Sequence, residues 1–141
     1  MYKSILLPVD LNHESSWEKA VPFALGLAKS YGAELHVIMV IPDFGMPLVG
    51  SYFPADATEK AIKLIAKSLS EFVEEQNLPK ADTQTHVVQG TIYKEIISAA
   101  DRLDCDVIVM ASHRPGTQDY LLGPNAARVT RHAKQSVCVI R

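Results

Sequence analysis

The sequence predicts an α/β fold: a single doubly wound parallel sheet of five strands. Four short runs of β-branched and aliphatic residues are continuously apolar, as strands covered on both faces are. They lie at residues 5–9, 35–41, 107–110 and 137–140, and a weaker run lies at 85–88. Helical patterns separate these runs, and the order βαβαβαβαβ is typical of a parallel sheet with helices on both faces and right-handed crossovers. No composition break marks a second domain, so we expect one domain over residues 1–141.

A capping signal predicts where the first helix begins. Ser15 followed three residues later by Glu18 has the pattern of a capping box, and the helix is expected to run to about Gly32. Pro22 falls well inside that segment and is expected to kink it, because proline removes an intrahelical hydrogen bond.

The remaining helices are predicted from the spacing of apolar residues. The second covers residues 55–77 and places its apolar residues on one stripe, opposite Glu and Lys. That stripe consists of Ala61, Ile62, Ile65, Leu69, Phe72 and Val73. The third and fourth helices are predicted over about 92–103 and 124–134.

Composition and charge exclude several classes of protein. Apolar residues make up 48% and charged residues 21%, which is ordinary for a folded chain. The formal charge of −2 gives no reason to expect a nucleic-acid or membrane-surface binder. No apolar run approaches the roughly 18 residues of a membrane span, and the first run is too short for a secretory signal, so we expect a cytoplasmic protein. Cys105 and Cys138 lie in apolar runs and are expected to be buried, reduced thiols rather than a disulfide or metal pair.

Asp10 directly follows the first strand and is the first candidate binding residue. Ligands of open parallel sheets bind at the carboxyl ends of the strands, where the strand order reverses. A carboxylate at that point can accept a hydrogen bond from a ribose hydroxyl or an adenine amine, or hold a metal. An alternative of equal weight is that Asp10 only shapes the approach of the chain to the Ser15 cap.

The start of the last predicted helix is a candidate anion site. Gly123 followed by Pro124 favours a preformed helix start, because proline is suited to the first helical position. The free backbone N–H groups of Asn125, Ala126 and Ala127 would then lie at the positive end of the helix dipole.

The loop before that helix adds further donors. Gly116 allows the chain to turn back, and His113 and Arg114 follow the fourth strand. Residues 111–141 carry five cations and one acid, a charge of +4, so the other 110 residues sum to −6. These features fit a phosphate-binding loop, although an ordinary strand-to-helix loop can look the same.

No catalytic constellation accompanies these binding features. Ser112 lies next to His113, but catalytic pairs are assembled in space and adjacent side chains at a strand end diverge. The sequence has no Gly-x-Ser-x-Gly elbow, Walker A loop or Gly-x-Gly-x-x-Gly fingerprint. The five histidines show no zinc-like spacing with the cysteines, and His36 and His86 lie in strand runs, where a structural role is expected.

Taken together, these segments resemble the universal stress protein family (UspA superfamily) over essentially the whole chain. The similar segments include the first strand through Asp10, the second strand, and the block that follows the fourth strand. That block contains Ala111-Ser112-His113-Arg114-Pro115, Tyr120-Leu121-Leu122-Gly123, Asn125-Ala126-Ala127, Arg131-His132-Ala133 and Ser136-Val137-Cys138-Val139-Ile140. It is most similar to the F/G-type ATP-binding branch of the family.

The resemblance implies a sheet of strand order 3-2-1-4-5, an adenine nucleotide alpha hydrolase-like fold. It also implies that ATP or AMP, with Mg²⁺ held by the phosphates, binds where the first and fourth strands flank the switch point. By resemblance, the first strand's end would contact adenine and ribose, Val40 would line the adenine pocket, and the loop would hold the phosphates. The implied binding residues are Pro8, Val9, Asp10, Val40, Met110, Ala111, His113, Arg114, Gly116, Gly123, Pro124, Asn125 and Ala126.

The loop departs from the family's ATP-binding pattern, Gly-two-Gly-nine-Gly-Ser/Thr. Matching His113 places Ala111 and Arg114 at the first two glycines, with eight residues between Arg114 and Gly123. The F/G-type branch shares this shorter loop. That shared length does not explain Pro124, which stands where the pattern has Ser or Thr and so lacks both the hydroxyl and the N–H donor. We therefore expect nucleotide binding that is weaker at the phosphate end than in the family's strong binders.

The last strand predicts a partner. Val137–Ile140 is apolar and should be an edge strand with unpaired backbone groups. Antiparallel pairing with the same strand of a second copy would cover that edge and give a two-fold homodimer, as the resemblance also implies. The alternative is an edge covered by its own side chains.

Three functions remain open at this point. The first is a cytoplasmic stress-response sensor or regulator that binds an adenine nucleotide, hydrolyses ATP slowly at most, and acts on an unknown protein partner. The second is an interaction module of the same fold that has lost nucleotide binding, which Pro124 favours. The third is an enzyme of the ATP-pyrophosphatase type, but that fold needs a Ser-Gly-Gly-x-Asp-Ser loop where this chain has Asp10-Leu11-Asn12-His13.

Overall fold

Five parallel strands form one sheet in this computed structural model, which describes residues 1–42, 55–112 and 124–141. The strands are β1 (Ser4–Pro8), β2 (Glu34–Pro42), β3 (Thr83–Gly90), β4 (Val107–Ala111) and β5 (Ser136–Ile140). Their order is β3-β2-β1-β4-β5, which confirms the predicted topology. β1 is therefore central, and the strand order reverses between β1 and β4.

Alternate residues of the central strands face two separate layers of helices. On one face Ile5, Leu7, Val37 and Val109 pack against the first and second helices. On the other face Leu6, Ile38, Ile108 and Met110 pack against the third and fourth. Both faces of β1 are fully buried, which explains why its sequence is continuously apolar rather than alternating.

The helices are α1 (Ala20–Tyr31), α2 (Ala55–Glu75), α3 (Ile92–Arg102) and α4 (Pro124–His132). Their ends lie within two residues of the predicted ends, apart from the start of α1. Gly32 ends α1 in the left-handed conformation, with φ of 64°. Within the predicted stripe of α2, Leu69, Phe72 and Val73 are buried, whereas Ala61 is exposed, so burial is concentrated in the second half of the helix.

The prediction that Ser15 opens the first helix was wrong. A 3-10 turn spans Glu14–Ser16, and α1 begins only at Ala20, with no side-chain cap at Lys19. Pro22 therefore occupies the first turn of α1, where its N–H would have no intrahelical partner, so it does not interrupt the helix.

The carboxylate of Asp106, the residue directly before β4, forms hydrogen bonds with the start of β1. Asp106 Oδ2 accepts hydrogen bonds from the backbone N–H groups of Lys3 (2.6 Å) and Ser4 (3.0 Å). The Asp106 N–H in turn donates to the Ser4 carbonyl oxygen at 2.8 Å. The pairing of these two strands, distant in sequence, is thus fixed at the edge opposite the switch point.

Two histidines contact each other between β2 and β3, as structural residues would. His36 Nδ1 lies 3.0 Å from His86 Nε2, so one ring donates its N–H and the other accepts. Burial lowers the pKa of His36, against a smaller opposing effect of Glu34. Burial also lowers the pKa of His86, with the charges of His36 and Arg102 acting in the same direction.

The two cysteines are free thiols, as expected. Cys105 is buried, its Sγ lies 3.5 Å from the Ser4 hydroxyl, and burial raises its thiol pKa. Cys138 is only half-buried, because it lies on the edge strand β5. Among the helices within the described ranges, none is long and apolar enough to cross a membrane.

Candidate functional site

The strand registers bring several of the predicted site residues to one edge of the sheet. Pro8 pairs with Ile38, and the Val9 N–H donates to the Ile38 carbonyl oxygen at 2.9 Å. Continuing this register places Asp10 beside Val40. On the other side of β1, Leu6 pairs with Ile108, so the same continuation places Pro8 and Val9 beside the end of β4. The carboxyl ends of β1, β2 and β4 therefore meet where the strand order reverses, which is where such sheets bind ligands.

Asp10 lies in a tight turn directly after β1. Its Oδ1 accepts the backbone N–H of Asn12 at 3.0 Å, and its Oδ2 lies 3.0 Å from His13 Nδ1. The carboxylate is 18% exposed. An ionised carboxylate can accept about four hydrogen bonds, and the described contacts use two, so it retains capacity to bind a ligand hydroxyl or amine.

Ser16 holds this turn in place, a role that the sequence did not reveal. Its buried hydroxyl accepts the Asp10 N–H at 2.9 Å and lies within donating distance of the carbonyl oxygens of Asp10 and His13. The turn also packs against β4, and the neighbouring Trp17 ring meets Phe72 of α2 edge-on at 5.1 Å. Of the two adjacent serines, Ser16 is fully buried and holds the end of β1, whereas Ser15 is exposed.

The apolar members of the predicted site are mostly covered. Met110 has no exposed surface, Val9 is 1% exposed and Ala111 is 3% exposed. Val40, at 8%, packs in the same apolar cluster as Met110 and Ala126. A ligand that contacts the Met110 side chain would require its neighbours to move, whereas Asp10 is reached without rearrangement.

Pro124 begins α4, as predicted, but the residues of the first turn face different ways. Asn125 and Ala126 are buried against the sheet, whereas Pro124 and Ala127 are exposed. Pro124 lines a cleft together with Tyr93 of α3 and with other residues of α4.

The rest of the predicted phosphate loop lies outside the described residues. His113, Arg114, Gly116 and Gly123 all belong to this part of the chain. The one described residue that leads into the loop, Ser112, donates its N–H to the Ile140 carbonyl oxygen at 2.8 Å. This bond places Ser112 beside the end of β5.

The described residues at the switch point offer hydrogen-bond acceptors and apolar surface. No group of three His, Cys, Asp or Glu side chains among them could hold a metal ion. Asp10 with His13 is a hydrogen-bonded pair at the switch point, suited to binding and orienting a polar ligand.

Comparisons with known proteins agree with the fold. The universal stress protein family matches residues 1–141. Universal stress protein G of Shigella flexneri is 33% identical over 144 residues, covering all of both chains. Among solved structures, the universal stress protein UspA from Lactobacillus plantarum has a TM-score of 0.76 at 20% identity, covering 99% of this chain and 98% of its own.

A second solved structure is a universal stress protein in complex with cAMP. Its TM-score is 0.66 at 22% identity, and the match covers 99% of this chain and 97% of that one. The full-length family match and the full-length relative at 33% identity show that the chain belongs to the universal stress protein family.

Proposed function

We propose that this chain binds an adenine nucleotide, ATP or AMP, at the switch point, and acts in the cytoplasm as a stress-response sensor with at most slow ATP hydrolysis. The observation that carries the proposal is the position of Asp10 at the reversal of strand order, with its carboxylate partly exposed. The similarity to a universal stress protein in complex with cAMP supports an adenine nucleotide as the ligand class.

The residues at this edge fit different parts of such a ligand. The Asp10 carboxylate would accept a hydrogen bond from a ribose hydroxyl, and Val40 would contribute apolar surface beside adenine. His113, Arg114, Gly116 and Gly123, with the amides of Asn125 and Ala126, would surround the phosphates, which would carry any bound Mg²⁺. The whole chain, residues 1–141, would act as one domain.

The first test is to identify what the purified protein carries. Denaturation followed by anion-exchange chromatography of the supernatant should release AMP, ADP or ATP at about one per chain. Release of no nucleotide, together with no heat on calorimetric titration with ATP, would favour the interaction module, the function that Pro124 supports.

Asp10→Ala is expected to weaken ATP binding by about tenfold or more, because a hydrogen bond to a charged group contributes roughly 1.5–3 kcal/mol. Asn12→Ala is the matched control: its side chain is removed, but its backbone N–H, which donates to Asp10, remains. Calorimetry should show less than a twofold change for Asn12→Ala. An unchanged ATP affinity in a folded Asp10→Ala protein would place the nucleotide elsewhere.

We also propose that β5 pairs with β5 of a second copy to form a homodimer. β5 is an edge strand, and Val139 on it is 39% exposed. Val139→Lys is expected to weaken the dimer at least tenfold in sedimentation experiments, because it places a charge in the pairing strand. Gln89→Lys, which adds the same charge to the opposite edge strand β3, should leave the dimer intact. A chain that is monomeric before mutation contradicts the proposal.

A further inference from the structure

A cationic cleft lies between α3 and α4, away from Asp10. Its volume is about 280 Å³, and its lining residues are Tyr93, Pro124, Ala127, Arg128, Arg131 and His132. Tyr93 lies in the first turn of α3, and the other five come from α4. Of the residues proposed to bind nucleotide, only Pro124 lines this cleft.

Tyr93 organises the charged side chains of the cleft. The guanidinium carbon of Arg128 lies 5.4 Å from the centre of the Tyr93 ring, within cation–π distance. The His132 ring lies 6.0 Å from the Tyr93 ring, centre to centre, at an interplanar angle of 34°. A cation–π contact does not consume the N–H donors of a guanidinium, so Arg128 keeps donors with which it can bind an anion.

The spacing of the basic residues concentrates positive charge on one face of α4. Arg131 and His132 follow Arg128 by three and four residues, so both lie on the same side of the helix as Arg128. Within the described parts of the chain, no carboxylate lies within ion-pair distance of Arg128 or Arg131. Like charges at this spacing repel, and an anion in the cleft would relieve that repulsion.

A favourable interaction with the helix dipole does not account for the whole cluster. Arg131 and His132 lie in the last turn of α4, where cations stabilise the helix end. Arg128, however, lies in the middle of the helix and is directed over Tyr93 of the neighbouring helix. Lys134, by contrast, lies 3.5 Å from the Asp101 carboxylate, so this nearby cation is neutralised.

We propose that this cleft binds the phosphate group of a small phosphate ester, at a site separate from the nucleotide site. Two guanidinium groups and an imidazole match a doubly charged group with several acceptor oxygens better than they match a single carboxylate. Pro124 and Ala127 supply apolar surface for a small organic substituent. The volume is near the lower end of the roughly 300–1,000 Å³ range of ligand pockets, which favours a small ligand.

The test uses inorganic phosphate and phenyl phosphate as probes of the full chain, followed by calorimetry and by NMR of the arginine side chains. Both probes should bind saturably, phenyl phosphate more tightly, and should shift the Nε–H signals of Arg128 and Arg131. The double variant Arg128→Gln/Arg131→Gln should weaken binding at least tenfold. Arg128→Lys, which keeps the charge but loses the planar fork, should weaken it several-fold.

Lys134→Gln is the matched control, because it removes a cation just beyond the same helix but outside the cleft. It should change the affinity for both phosphate probes less than twofold. If it weakens binding as much as the double variant does, the effect comes from overall charge and not from the cleft, and the proposal is overturned. Non-saturable binding to the unmodified chain would also overturn it. Asp10→Ala should retain phosphate binding in the cleft, so this proposal and the nucleotide proposal can fail separately.

Discussion

Lowering the pH from about 6.5 to 5 is expected to destabilise the folded chain through His36 and His86. Both pKa values are lowered in the fold, mainly by burial, so the unfolded chain binds more protons than the folded one over this range. The unfolding free energy is therefore highest above the ordinary histidine pKa of about 6.5, and it falls as the pH drops toward the lowered pKa values of the two histidines in the folded chain. Because two protons are involved, the unfolding free energy can change by at most about 2.7 kcal/mol per pH unit.

The geometry explains why a second proton is unfavourable. In the neutral pair, one ring donates its N–H to the other ring across 3.0 Å. After the pair binds one proton, one of its four ring nitrogens still has a lone pair, so the hydrogen bond can remain. Full protonation would place two N–H groups face to face, with Arg102 raising the local positive charge further and Glu34 partly offsetting it.

Urea unfolding at a series of pH values measures this dependence. His86→Gln removes one titrating ring and should reduce the slope between pH 6.5 and 5 by about half. Gln84→Ala, a change at an exposed and non-titrating residue of the same strand as His86, should leave the slope nearly unchanged. Equal slopes in the unmodified chain and the His86→Gln variant would show that the pair does not control acid stability.

Ser16→Ala is expected to lower both the stability of the chain and its affinity for nucleotide. The substitution leaves the Asp10 N–H and the His13 carbonyl oxygen without the hydroxyl that bonds them, at a cost of about 1–3 kcal/mol. Because the same hydroxyl fixes the turn that presents the Asp10 carboxylate, we expect ATP to bind several-fold more weakly.

Ser15→Ala provides a control of identical chemistry one residue away. Ser15 is exposed and Ser16 is fully buried, so the Ser15 substitution should lower the unfolding free energy less than the Ser16 substitution does. Thermal unfolding and ATP calorimetry on both variants separate the two serines. A larger loss in Ser15→Ala than in Ser16→Ala would mean that the turn is held in a different way.

The sheet could be predicted from the sequence because its strands are buried on both faces. Residues such as Leu6 and Ile108 belong to uninterrupted apolar runs, which few other structures require. The strand order itself came from the family resemblance. The predicted start of α1 was wrong, because Ser15-x-x-Glu18 has the local pattern of a capping box but does not cap the helix. The neighbouring Ser16 hydroxyl instead bonds to Asp10 at the end of β1. Such a contact depends on how the chain folds back and leaves no local pattern.

The position of Asp10 at the end of the central strand was also predictable, but the geometry of its contacts was not. Asp10 was recognised because an acidic residue directly follows an apolar strand. Its bond to the Asn12 N–H and its contact with His13 depend on turn conformation, which spacing does not specify. The exposure of Pro124 likewise depends on which face of α4 packs against the sheet, with Ala126 and Val129 buried beneath.

The bond between Asp106 and the start of β1 has a consequence for synthesis of the chain. The Lys3 N–H and the carboxylate that accepts it are 103 residues apart, so the central strand is made long before its second partner. At a synthesis rate of ~5–20 residues per second, that interval lasts ~5–20 s. During it, one edge of β1 remains unpaired and Leu6 lacks the helices that cover it, which exposes the nascent chain to misassembly.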